Sequence, residues 1–134
     1  MATFKILCPL AYMAVLWVLS SIPATPDRTM AGIYVPTLLQ KTMHVVAYAL
    51  LAAAWLWVFG PGRITRAAAI RAVCLTIAYA AIDEYHQTFV PGRSGCLRDV
   101  GLDTFAAALG VTIVAAMRTG QSPVPPQSTS AGSQ

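Results

Sequence analysis

Nine residues of this sequence have the types and spacing to do chemistry together: Lys41, His44, Tyr48, Asp83, Glu84, Gln87, Arg93, Asp99 and Asp103. On a helix Lys41, His44 and Tyr48 fall within about a 60° arc, because each residue advances by 100°. Asp83 and Gln87 share one helical face, with Tyr79 a turn below and Glu84 and His86 on its flanks. Asp99 and Asp103 are i, i+4 neighbours, and Ala106 and Gly110 continue their stripe with small residues that let helices approach closely in lipid. A histidine beside carboxylates is equipped for general acid/base work. An arginine fork above them can clamp a phosphate or carboxylate, or cap the acids themselves. On this reading His44 or His86 is the general acid/base, Asp83 and Glu84 tune it, and Arg93 stabilises an anion. Lys41, Tyr48, Gln87, Asp99 and Asp103 are the ligand-binding candidates. No nucleophile is marked, since nothing activates Ser94 in its loop. No His-Glu-x-x-His spacing marks a metal, and no metal or cofactor is expected. A divalent ion held by the acids and His44 stays open as the lesser alternative.

These residues sit at the ends of long apolar blocks. The chain has 134 residues, 57% hydrophobic and only 10% charged, against about 25% charged in a soluble domain. Four blocks stand out: about residues 4–22, stopped by Pro23 and Pro26; 41–59, closed by Gly60-Pro61-Gly62; 67–87, ending before Pro91-Gly92; and 99–117. Each is near the roughly 20 residues a helix needs to cross about 30 Å of hydrocarbon. The alternation of barrel strands is absent, so helices are the elements that can satisfy the backbone in lipid. The expected fold class is an all-α integral membrane protein, a four-transmembrane-helix bundle over residues 1–118, followed by a disordered tail over 119–134 rich in Ser, Pro, Gln and Gly. The first block is longer than a signal core and is read as a retained span.

The net charge of +4 does not point to nucleic acid, because the nine Lys and Arg lie singly or in pairs at block ends, where they anchor helices to headgroups. With the N-terminus inside, Lys5, Arg63, Arg66, Arg71 and Arg118 fall on the inner side and Arg28, Lys41, Arg93 and Arg98 on the outer. All five acidic residues fall on the outer side, giving only the outer cations partners. The expected location is therefore the cytoplasmic membrane, multi-pass, with both termini cytoplasmic. Eleven uncharged residues separate Arg71 from Asp83, about 18 Å of helix. Asp83 thus lies below the outer boundary, and Asp103, separated from Arg118 by fourteen residues, follows the same logic. A carboxylate at that depth must face protein or trapped water. Cys8 and Cys74 inside apolar blocks and Cys96 in the loop read as unpaired thiols.

The chain resembles the VanZ-like membrane proteins, a family associated with teicoplanin resistance. The resemblance covers about residues 15–115 and rests on Ser20-Ser21-x-Pro23, Lys41-x-x-His44-x-x-x-Tyr48 and above all Asp83-Glu84-x-x-Gln87-x-Phe89-x-Pro91-x-Arg93 followed by Asp99. Gln40, Asp103 and Ala106 depart from the pattern, which more usually has an acid, an asparagine and a glycine there. The resemblance implies a cell-envelope role and does not supply a molecular activity. Three functions compete: an enzyme at the outer leaflet acting on a lipid-linked or phosphorylated substrate; a module binding a glycopeptide or cell-wall precursor; and a scaffold whose polar cluster only knits helices together. Taken singly, His86 reads as a solvated interfacial histidine, Arg98 as a headgroup anchor, and Tyr12, Tyr34 and the tryptophans as belt or core residues. Taken together, the cluster reads as a functional site. The lipid bilayer and a lipid-linked or cell-wall ligand are the expected partners.

Overall fold

The structure, a computed structural model, describes residues 2–24, 29–30, 33–34, 36–93 and 95–119. Four helices follow in order: α1 (Ala2–Ser20), α2 (Thr37–Phe59), α3 (Arg66–Gln87) and α4 (Leu97–Thr119). The all-helical expectation needs one small amendment. Strands β1 (Thr29–Met30) and β2 (Ile33–Tyr34) pair antiparallel between α1 and α2, with Thr29 opposite Tyr34 and Met30 opposite Ile33. Thr, Ile and Tyr favour extended backbone. Of the expected tail over 119–134, Thr119 is the last residue of α4, and residues 120–134 lie outside the described residues, as do Asp27, Arg28 and Ser94.

The helix ends follow local chemistry. α2 begins four residues before the expected Lys41, directly after Pro36, whose φ of −56° suits entry into a helix while its missing N–H costs nothing there. It ends at Gly60, whose N–H still donates to the Leu56 carbonyl at 2.8 Å. α3 is capped by Thr65, whose hydroxyl accepts from the Ala68 N–H at 3.1 Å.

Helices α2, α3 and α4 pack against one another, while α1 lies mainly on α2, touches α3 lightly and does not reach α4. The core runs through Tyr48, Leu51, Ala52, Trp55 and Leu56 of α2, Ala68, Ala72, Tyr79 and Ala80 of α3, and Ala106, Ala107 and Val111 of α4. Alanines from α3 and α4 make the contacts close enough for dispersion to act between backbones. α1 is tied on by hydrogen bonds from Tyr79 to the Met13 carbonyl (2.6 Å) and from Tyr12 to the Ala47 carbonyl (3.3 Å), so Tyr12 is an interhelical tie rather than a belt residue.

Large apolar side chains point outward on every helix, among them Phe4, Val18, Val46, Leu50, Ile70, Ile82, Phe105 and Ile113. Two helices, over Leu38–Phe59 and Arg98–Arg118, are long and apolar enough to cross a membrane. The apolar stretch of α1, Phe4–Ser20, is shorter, and α3 carries Arg66, Arg71, Asp83 and Glu84 within its length.

At Gly110 α4 comes close to α2. A Cβ there would fall against the Ala49 carbonyl, which is helix backbone and cannot move aside. Gly110→Leu is therefore expected to force the two helices apart and lower stability by about 3 kcal/mol, read as thermal unfolding in detergent. Gly101→Leu is the control, because no atom lies within 4 Å of a Cβ built there.

Candidate functional site

The last turn of α1, the first turns of α2 and α4, and the last turn of α3 with the loop after it meet at one end of the bundle. The polar residues singled out in the sequence gather there in two buried groups beneath a rim.

The first group centres on Asp83, which is 2% exposed. Its Oδ1 accepts from Ser20 of α1 at 2.6 Å, and its Oδ2 accepts from Tyr48 of α2 and from the Gln87 amide, both at 2.9 Å. Three neutral donors from three helices satisfy this carboxylate. Neither Lys41 nor Arg93 pairs with it, although both are the obvious cations in the sequence.

The second group holds His44, Glu84 and Asp103. Asp103 is 1% exposed, and neither of its oxygens has a hydrogen-bond partner among the described residues. His44 lies beside it, with Nδ1 4.0 Å from Oδ2 and itself unpartnered. Glu84 is anchored by the Cys96 backbone N–H, which donates to Oε2 at 2.8 Å. Asp83 and Glu84 therefore serve different groups. Adjacent helical residues point about 100° apart, so one acid reaches α1 and α2 while the other reaches the loop and the His44 group. One ligand atom each from His44, Glu84 and Asp103 lies within 4.8 Å of the others, a set that no sequence spacing marked. The His44 ring also stacks on Tyr48, centroids 5.9 Å apart.

At the rim Lys41 and Asp99 form an ion pair at 3.3 Å with side chains 53% and 30% exposed. A pair so open to its surroundings contributes about 1 kcal/mol or less.

Arg93 forms no ion pair with the acids among the described residues. Its Nε and Nη2 donate to the carbonyls of Ile22 (3.3 Å) and Leu19 (3.2 Å), and its Nη1 to Gln87 Oε1 (3.4 Å). Helix C-termini leave such carbonyls unsatisfied and carry partial negative charge, so the guanidinium acts as a cap for α1. Burial pulls the Arg93 guanidinium below its ordinary value, and the nearby Asp83 and Glu84 oppose that shift. Gly92 makes the arrangement possible. Its φ of 76° belongs to the left-handed region, and a Cβ would collide with the Ala24 carbonyl. The neighbouring Pro91 carbonyl accepts from the Ala24 N–H at 3.1 Å, laying the loop directly on the end of α1.

Of the two histidines considered for acid/base work, only His44 faces the carboxylates. His86 stacks on Trp17 at 4.0 Å and lies 2.9 Å from the Ser21 hydroxyl, so this half-buried ring at the end of α3 also contacts α1. Ser20 and Ser21 are the residues that spacing arguments missed. Their signal was the Ser20-Ser21-x-Pro23 element, which marks them without saying what they touch.

The chain is thus a helical bundle with outward-facing apolar side chains, two helices long and apolar enough to cross a membrane, and a buried polar cluster at one end. The chain belongs to the VanZ/LLP1 family, whose model matches residues 4–118. No curated protein and no solved structure matched the chain.

Proposed function

We propose that all four helices span the cytoplasmic membrane, with both termini inside, and that the polar cluster forms an outward-facing site for a lipid-linked, phosphorylated or glycopeptide ligand of the cell envelope. The observation that carries this reading is Asp103, a buried carboxylate left without donors, beside the unpartnered nitrogen of His44. A group that only held helices together would be satisfied from within, as Asp83 is by Ser20, Tyr48 and Gln87. A half-satisfied buried group costs stability and is retained where an exogenous partner completes it. Four spans are supported by the exposed apolar side chains on each helix; in water so much apolar surface would drive association. The acids of α3 do not oppose its insertion, because Asp83 and Glu84 face the bundle interior rather than lipid.

Within this reading the roles divide. His44 and Glu84 act on the ligand together with Asp103, Asp83 positions Tyr48 and Gln87, and Arg93 fixes α1 over the site. Lys41 and Asp99 form the rim that a charged headgroup or phosphate meets first. The scaffold reading keeps the Asp83 half of the cluster and fails at the Asp103 half.

Orientation is tested by thiol labelling. Cys96 is exposed, and in a variant with Cys8 and Cys74 replaced an impermeant maleimide should modify it in intact cells. With Cys96 also removed, Gly62→Cys should react only after permeabilisation. The reverse pattern would place the site inside and end the envelope proposal. For the ligand, expression in a teicoplanin-sensitive host should raise the inhibitory concentration of the drug severalfold. An unchanged value removes the glycopeptide from the ligand classes named.

A further inference from the structure

We infer that His44, Glu84 and Asp103 form a binding site for one divalent transition-metal ion. Among the described residues four buried side-chain polar atoms lack a hydrogen-bond partner: both oxygens of Asp103, Nδ1 of His44, and the indole nitrogen of Trp55. Three of them converge at one point, while Trp55 lies about three turns further along α2. The same fold supplies Asp83 with three donors, so the lack at Asp103 is local. An ion pair with His44 does not remedy it. The 4.0 Å separation exceeds the roughly 2.7–2.9 Å of a charge-assisted hydrogen bond, and it leaves Oδ1 with nothing.

A cation accounts for the whole set. The ligand atoms of the three residues already lie within 4.8 Å of one another, and bonds near 2.1 Å in tetrahedral geometry place ligands about 3.4 Å apart. Small side-chain rotations close the difference. Groups that would hold these ligands are in place: the Cys96 N–H donates to Glu84, and the Tyr48 ring packs on the imidazole. Fixed outer partners of this kind orient metal ligands. One imidazole nitrogen with two carboxylates selects zinc, manganese or ferrous iron over magnesium and calcium, which prefer oxygen alone. Three protein ligands leave a coordination position for water or for an oxygen of the ligand, as in catalytic zinc sites.

The inference rests on the proposed function only for where the site lies, and metal content is read without any assay of that function. The full-length chain is purified in detergent, stripped with chelator and titrated with Zn2+, Mn2+ or Mg2+ alone, followed by calorimetry and elemental analysis. Zn2+ or Mn2+ should bind at about one ion per chain and raise the unfolding temperature, and Mg2+ should do neither. Asp103→Asn removes the carboxylate charge and leaves a side chain of nearly the same shape. It should keep the helical circular dichroism of the wild type while weakening the metal about tenfold or more, and Glu84→Gln should do the same. Absence of Zn2+ and Mn2+ binding to the wild-type chain overturns the inference whatever the variants do, and equal affinity in folded Asp103→Asn overturns it equally. The labelling and susceptibility results stand or fall separately.

Discussion

Asp83→Ala is expected to lower the stability of the bundle by about 3–5 kcal/mol, the largest effect of any single substitution at the site. On this carboxylate α1, α2 and α3 converge, through Ser20, Tyr48 and Gln87. Removing it leaves the Tyr48 hydroxyl and the Gln87 amide buried without an acceptor, and each such group costs about 1–3 kcal/mol. Ser20 is spared part of this, since its hydroxyl also reaches the Trp17 carbonyl at 3.0 Å. A small cavity adds to the cost. Asp83→Asn should lose less, because one oxygen still accepts while the amide meets another donor head-on. Asp99→Ala is the comparison. It breaks a half-open pair with Lys41 and should shift stability by about 1 kcal/mol or less. Thermal unfolding of the three variants in one detergent checks the order. Equal losses for Asp83→Ala and Asp99→Ala would mean that Asp83 does not hold the helices.

The second large effect is functional, and it separates shape from chemistry at His44. His44→Gln keeps the size and hydrogen-bonding capacity of the side chain but cannot titrate and is a poor metal ligand. The protein should remain folded and inserted, with its unfolding temperature nearly unchanged, while function is lost; for proton transfer the loss is about a hundredfold or more. His44→Leu removes the imidazole that lies 4.0 Å from the Asp103 carboxylate and leaves that acid beside Glu84. It should destabilise the bundle by about 1–3 kcal/mol as well as abolish function, since the buried acid then has an apolar side chain where the imidazole stood. Stability and teicoplanin susceptibility measured on both variants give the answer. A His44→Leu protein of normal stability and full function would strike His44 from the site.

These contrasts depend on assignments that the sequence supplied only in part. The apolar blocks and their Pro and Gly breaks determine the helices, because an uninterrupted apolar run has few other ways to satisfy its backbone. Once four helices alternate in direction, the start of α2, the end of α3 and the start of α4 must fall at one end. That alone places Lys41, His44, Asp83, Glu84, Asp99 and Asp103 together. Helical periodicity likewise put Lys41, His44 and Tyr48 on one face.

Which neighbour occupies each face was decided by tertiary packing alone. Periodicity gives the direction of a side chain about its own helix axis and carries nothing about the rotation of the next helix. Lys41 and Arg93 were thus equally good partners for Asp83 on charge grounds, yet Lys41 meets Asp99 and Arg93 turns to the carbonyls of Leu19 and Ile22. α1 has no charged residue near its C-terminal end to announce its position, so the part played by Ser20 and Ser21 could not be read from composition. The grouping of His44, Glu84 and Asp103 is of the same kind. Their separation along the chain follows no ligand spacing, because three different helices supply them, and only the close packing allowed by Ala106 and Gly110 brings those helices near enough for the three side chains to share one point.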